Sequence, residues 1–275
     1  MATKKTLWRT LAATAAVLLA TTLAACSGTS VSGDTITAGK LTIGTGNPAY
    51  EPWVVGDDPA SGKGFEAAVA YAVAEKLGFK NEDVVWVRTT FDEAIAPGSK
   101  NFDFNLQQYS ITDERKANVD FSSAYYETAQ VVVTVAGSPA ASATSIAELQ
   151  DYLIGAATGT TSFDAIGNVI KPTQAAQAFN SNDDVKAALT NGQVDAIVLD
   201  LPTALYASCC ELDGGKIVGQ LPTAAKGDQF GLVLDKGSKL TAAVTKAVDD
   251  LRADGTLAKL EEKWLTADAG VPVLK

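Results

Sequence analysis

The sequence predicts an α/β protein, and three stretches carry that prediction. Val131 to Val135 is an unbroken β-branched run, the mark of a strand buried on both faces. Between Gly64 and Gly78 the apolar residues Phe65, Ala68, Val69, Ala72, Val73 and Leu77 recur at helical spacing, so glycines bracket an amphipathic helix. A strand near Tyr152 to Ala156 leads through the small residues Thr158-Gly159-Thr160-Thr161-Ser162 into another helix.

The first 25 residues stand apart from this alternation. Lys4, Lys5 and Arg9 precede an apolar run from Leu11 to Leu23, which ends in Leu23-Ala24-Ala25-Cys26. A positive start, a short apolar run and small residues at the cut predict a secretory signal over residues 1–25, and the cysteine marks the lipoprotein type. The run is too short, and too interrupted by threonines, for a transmembrane helix. Cys26 is therefore the expected lipidation site, where two acyl chains anchor a protein stably and one does not. Residues 26–39, rich in Ser, Gly and Thr, read as a flexible tether.

Loss of the signal takes away three basic residues and no acid, so the net charge falls from −10 to −13. Polyanions need clustered Lys and Arg, and none follows the signal, which excludes nucleic acid as a partner. Histidine is absent from all 275 residues. That removes the commonest general base, the Ser-His-Asp and Cys-His pairs and most zinc sites. No catalytic residue, metal or other cofactor is expected. Cys209 and Cys210 are adjacent, whereas ordinary disulfides need Cα atoms farther apart than one peptide step. Two free thiols are expected, with a strained vicinal disulfide as the alternative.

The folded part is expected to begin near Lys40. Leu41-Thr42-Ile43-Gly44 alternates as a first strand and runs into the turn-rich Thr45 to Trp53, and loops after parallel strands are where ligands sit. Trp53 is expected to pack. Val84 to Val87 reads as the second strand, and Phe102, Phe104 and Leu106 mark the next. Thr112 suits the N-cap of a helix over Asp113 to Asn118 whose first turn holds Arg115. A guanidinium there grips a carboxylate through two parallel hydrogen bonds; a surface arginine in a mixed charged run is the other reading.

Past the low-complexity loop Gly137 to Ala143 a new lobe begins, with Ser145-Ile146-Ala147-Glu148 as a capping box. Free N–H groups at the helix start after Thr160 and Thr161 can receive a carboxylate. Asp184 to Leu189 reads as a helix and Val194 to Leu199 as a strand. Asp200 ends that strand just before Leu201-Pro202, where it also suits an N-cap. Asp195 is expected to be structural. Gln229 to Leu234, a helix over Leu240 to Leu251, the turn Asp254-Gly255-Thr256 and a helix to Trp264 close the pattern.

Several of these stretches also match a known pattern. Ser110-Ile111-Thr112-Asp113-Glu114-Arg115 running on to Asp120-Phe121-Ser122-Ser123-Ala124-Tyr125-Tyr126, the turn Thr158 to Ser162, Gly192 to Tyr206, and the closing stretch from Gln229 to Trp264 resemble the polar amino-acid branch of the bacterial extracellular solute-binding proteins, which feed ABC importers. Gly64-Phe65-Glu66 and Leu77-Gly78 fit as well, although Ala68 stands where an acid is usual. The resemblance implies a two-lobed type II periplasmic-binding-protein fold with a double hinge crossover. Residues 40–126 and 230–275 would form lobe 1, and 127–229 lobe 2.

What the resemblance implies about the site is specific. Arg115 would hold an amino acid's α-carboxylate together with Thr160 and Thr161, while Ser110 and Asp200 would hold its α-ammonium, with Gln108 nearby. Tyr50 and Phe91 would form aromatic walls, and Asn47 and Gln107 would meet the ligand's side chain. Amides suit a neutral polar side chain of glutamine or asparagine type, since a buried cation there would lack a counter-charge. The implied partners are an L-amino acid, an ABC permease and ATPase, and the membrane through the lipid; a monomer is expected. Two rivals stay open: an enzyme on the same scaffold, resembling the cyclohexadienyl dehydratases that eliminate water from a prephenate-like acid, and a ligand-sensing module for a signalling partner.

Overall fold

The computed structural model describes residues 31, 33–223, 227–265 and 270–275; the expected signal and Cys26 lie outside the described residues. The chain runs β1 (Leu41–Gly46), α1 (Phe65–Lys76), β2 (Val84–Thr89), α2 (Phe91–Ile95), β3 (Phe104–Asn105), α3 (Asp113–Asn118) and β4 (Val119–Thr128). It continues through β5 (Gln130–Val135), α4 (Ile146–Leu149), β6 (Ile154–Ala157), α5 (Thr161–Ala165), β7 (Gln177–Phe179), α6 (Asn182–Thr190), β8 (Ala196–Asp200), α7 (Leu201–Tyr206) and β9 (Gly215–Gln220). Then β10 (Asp228–Asp235), α8 (Thr241–Ala253) and α9 (Thr256–Trp264) follow.

Two five-stranded sheets result, one in each lobe of a type II periplasmic-binding-protein fold. The first has the order β2-β1-β3-β10-β4 and the second β7-β6-β8-β5-β9. In the first, β1 lies parallel to β2 and β3, while β10 is antiparallel to β3 and β4. In the second, β6 lies parallel to β7 and β8, and β5 is antiparallel to β8 and β9. The three parallel strands of each sheet direct their carboxyl ends, and the loops after them, toward one cleft.

Packing follows the strand alternation. Val132 joins Ile154, Ile166 and Val198 on one face of the second sheet, whereas Val131 and Val133 join Val185, Ile197 and Leu199 on the other. The β-branched run is therefore buried on both faces, as its composition requires. Helix α1 packs on the first sheet with Phe65, Val69 and Val73 against Leu41, Ile43 and Leu232. Its buried side also takes in Glu66, Ala67, Ala70 and Ala74, a wider face than the spacing of its larger residues marks. Alanine is small enough to lie on either side of a helix, so it does not fix the phase.

The chain crosses between lobes at Ala129, between β4 and β5, and returns between β9 and β10. It then crosses again at its end. Val273 bridges to Gln220, Leu274 is buried in the second sheet's core, and the Lys275 carbonyl accepts the Ile146 N–H at 3.0 Å. Residues 270–275 thus lie on lobe 2, which corrects their placement with the rest of 230–275. The physical reason is local: Leu274 fills the space beside Gly219, where a Cβ would meet it at 2.7 Å.

Three further expectations are corrected. The stretch read as a flexible tether is held to lobe 1 at two points: Val31 is buried against it and the Asp103 carboxylate accepts the Ile36 N–H at 2.8 Å. Cys209 and Cys210 are bonded to each other, with Cα atoms 3.8 Å apart in a π-helical turn over Ala207–Glu211 that brings the neighbouring sulfurs together. The capping box at Ser145 is half made: Ser145 accepts from Glu148 N–H, but the Glu148 carboxylate takes the N–H of Thr144. A complete box opens α2 instead, between Thr90 and Glu93. No helix among the described residues is long and apolar enough to cross a membrane.

Candidate functional site

Between the lobes lies a cavity of 230 Å³, and its lining gathers Asn47, Tyr50, Phe91, Gln107, Gln108, Ser110, Arg115, Thr160, Thr161 and Asp200. All ten residues expected at the site therefore share one space.

Arg115 reaches it because Thr112 caps α3, accepting the Arg115 N–H at 3.1 Å. The cap fixes the first turn and turns the arginine inward, where it is 7% exposed. One terminal nitrogen donates to the Ser110 carbonyl at 2.7 Å and the other to the Gly159 carbonyl at 2.8 Å, so the residue joins both lobes. A guanidinium has five donors, and these bonds occupy two. Its plane lies 5.2 Å from the centre of the Phe91 ring, which in turn packs 4.7 Å from Tyr109. Burial pulls the Arg115 pKa down, while Tyr109, Asp200 and Asp228 act the other way. It is a buried cation with spare donors, not a surface arginine.

Opposite it, Asp200 leaves β8 with its side chain making no cap bond to α7, which excludes the N-cap role. The Gln130 amide instead donates to Asp200 at 2.8 Å and to Asp228 at 2.7 Å. Burial, and then the neighbouring Asp228, push Asp200 up to about 7. Asp195, by contrast, accepts the Leu153 N–H at 2.9 Å and is structural as expected.

The remaining residues divide by what their polar atoms already do. Ser110 and Thr161 hydroxyls meet across the cleft at 3.1 Å. Thr160 is spent on capping: its hydroxyl accepts from Phe163 N–H and donates to the Ala157 carbonyl at 2.6 Å. Gln107 accepts from the Tyr109 hydroxyl at 2.9 Å, which leaves its NH₂ for the cavity. That NH₂ lies close over Gly46, where a Cβ would come within 2.9 Å of it, so the end of β1 must be bare. The Gln108 NH₂ is turned away from the cleft, onto Glu66. Tyr50 spans the lobes, hydrogen-bonded by Ser181 and the Asp183 backbone, with Lys186 5.2 Å over its ring. Desolvation first, and Asp183 second, push its pKa up to about 12. Trp53 packs as expected and also donates to Thr203 across the cleft at 2.9 Å.

Four polar residues in or behind the cavity wall were not expected at the site from the sequence: Gln130, Asp228, Glu66 and Asp92. A buried glutamine heading the run Val131 to Val135 was the available signal for Gln130. Asp92 lines the cavity beside Phe91 and supplies an acid where none was expected, which removes a premise of the argument against a cationic side chain.

Comparison with known proteins agrees with the two-lobed fold. An L-arginine-binding protein of Pseudomonas aeruginosa is 29% identical over 228 residues, covering 80% of this chain and 86% of that protein. An ancestral arginine-binding protein, solved with arginine and with glutamine, superposes with a TM-score of 0.69 at 33% identity; the arginine-bound structure covers 83% of this chain and 99% of its own. An ancestral amino acid-binding protein described as a precursor of cyclohexadienyl dehydratase gives 0.68 at 30% identity, over 83% of this chain and 96% of its own. The sequence pattern of one family matches residues 41–267. On that match, the chain belongs to the bacterial extracellular solute-binding proteins, family 3.

Proposed function

We propose that the protein is the lipid-anchored substrate-binding subunit of an amino-acid ABC importer, capturing a polar L-amino acid between its lobes and presenting it to a permease and ATPase. One observation carries the reading: a buried arginine with spare donors and a half-buried aspartate line the same 230 Å³ cavity, as the two ends of a zwitterion demand. Arg115 takes the α-carboxylate, joined by the hydroxyl of Thr161 and the backbone after Thr160. Asp200 and Ser110 take the α-ammonium. Both lobes contribute, so ligand binding energy favours the closed arrangement. A side chain that reaches Asn47 and Gln107 meets amides, and one that reaches Asp92 meets a carboxylate.

A thermal-shift panel of the twenty amino acids tests the reading. At about 100 times Kd the preferred ligand is expected to add about 2.7 kcal/mol of stability. Glutamine leads if the amides select the side chain, and arginine leads if Asp92 does. No shift with any amino acid removes the reading. The likeness to a dehydratase precursor supports one rival, an enzyme, which predicts turnover of a prephenate-like acid in place of stoichiometric binding.

Anchoring has its own test. With Cys26 as the acyl acceptor, wild type is expected to incorporate labelled fatty acid and fractionate with membranes. Cys26→Ser is expected to do neither. An unlabelled wild type sinks the lipoprotein reading alone.

A further inference from the structure

We infer that Glu66 is a positioning residue of the cleft: it clamps Gln108 in a left-handed backbone and so aims the strap from Gln107 to Ser110 at the ligand. The inference rests on the amino-acid-binding reading and adds a residue outside the cavity lining.

Glu66 lies in the first turn of α1 and is 1% exposed. Three donors converge on its carboxylate: the Gln108 N–H at 2.8 Å, the Gln108 side-chain NH₂, and the Tyr125 hydroxyl. A buried carboxylate with no cation beside it is costly, and an apolar side chain would fill the same space without that cost. The position therefore answers to something other than packing. Burial pushes Glu66 up to about 7, against the pull of its three donors.

Two of those donors belong to one residue, and that residue is strained. Gln108 has φ 52°, a conformation that glycine adopts freely and a glutamine does not. Holding its main-chain and side-chain nitrogens on one carboxylate fixes the residue in that state. The consequences reach the ligand on both sides. Just before the turn, Gln107 brings its NH₂ to the cavity; just after it, Ser110 offers its carbonyl to Arg115 and its hydroxyl to Thr161. Tyr109 and Ile111 are meanwhile tied to β10, through Gly231 N–H to the Tyr109 carbonyl at 3.0 Å and Ile111 N–H to the Gln229 carbonyl at 2.7 Å. Glu66 holds the strap's other end. The carboxylate accepts from all three donors as they stand, whereas a glutamine in its place would set its NH₂ against the Gln108 NH₂ and hold that side chain only if its amide turned over.

The test uses the full chain, with L-glutamine and L-arginine as calorimetric probes and amide exchange over residues 107–110 as a readout that needs no ligand. Glu66→Gln is expected to weaken binding at least tenfold and to speed exchange in the strap. Tyr125→Phe, which leaves both bonds to Gln108, is expected to lower the melting temperature with affinity within threefold of wild type. Gln108→Gly relieves the strain, so adding Glu66→Gln to it is expected to cost no more than a further twofold. Glu66→Asp, which keeps the charge but withdraws the oxygens, is expected to act as Glu66→Gln does and stands in for it should that variant not fold. The inference is overturned by wild-type affinity in either folded Glu66 variant, by a tenfold cost that persists in the Gln108→Gly background, or by unchanged strap exchange. If wild type binds neither probe, strap exchange still decides on the clamp, while the panel above decides on the function.

Discussion

Arg115→Ala is expected to weaken amino-acid binding by about 2 to 5 kcal/mol, which is about thirtyfold to several thousandfold in Kd. The size of the effect follows from what the alanine leaves behind. A bound carboxylate would keep its charge in a closed cleft and lose its only cationic partner, and an unpaired buried charge is far more expensive than a missing contact. The protein itself should suffer less. Only two backbone carbonyls, those of Ser110 and Gly159, lose a donor in the unliganded state. Arg115→Lys separates charge from geometry: it keeps the cation but cannot span two carboxylate oxygens in a plane or stack on Phe91, so an intermediate loss is expected. Calorimetry on the three proteins reads both differences. Affinity within threefold of wild type in Arg115→Ala would remove the residue from the site.

How much of this site could be read from the sequence depended on where its determinants lie. Arg115 and Asp200 were legible because each sits at the end of a regular element with local punctuation, Thr112 before one and Leu201-Pro202 after the other. Sequence left the alternative roles open, and tertiary bonds remove the plainer one in each case: the Gly159 carbonyl from the far lobe holds Arg115 off the surface, and the Asp200 side chain meets the Gln130 amide in place of a helix cap. Glu66, Asp228 and Gln130 were not legible as site residues, since each bonds to partners between 31 and 118 positions away in the chain. The Gln130 amide, for example, meets Asp228 across 98 positions. The docked end of the chain was missed for a similar reason. Leu274 is one apolar residue in a short tail, and nothing in so short a stretch states which lobe will receive it.

Asp200→Asn is expected to abolish binding while raising the stability of the unliganded protein above neutral pH, and the second effect is what distinguishes a functional acid from a structural one. Burial and the adjacent Asp228 push Asp200 from the ordinary 3.8 up to about 7. A carboxyl whose folded-state value lies above its unfolded one favours the fold in its protonated form. That contribution is complete below about pH 4 and is lost as pH rises through about 7. Asparagine keeps an oxygen for the Gln130 amide but never ionises, so it escapes the loss. Glu66, also pushed to about 7, is present in both proteins, and relief of its repulsion with the Asp200 carboxylate favours Asp200→Asn in the same direction. The melting temperature of Asp200→Asn should therefore draw ahead of wild type between about pH 4 and pH 7 and keep that lead above it. A ligand's α-ammonium reverses the cost in wild type alone, because it gives the ionised carboxylate the partner it lacks. Ligand-induced stabilisation of wild type is accordingly expected to grow over the same pH range, and that of Asp200→Asn to stay near zero. Melting curves at four pH values, with and without a saturating amino acid, measure both trends. A constant difference between the unliganded proteins would mean that the carboxylate is not desolvated, and undiminished ligand stabilisation in Asp200→Asn would assign the α-ammonium to another group.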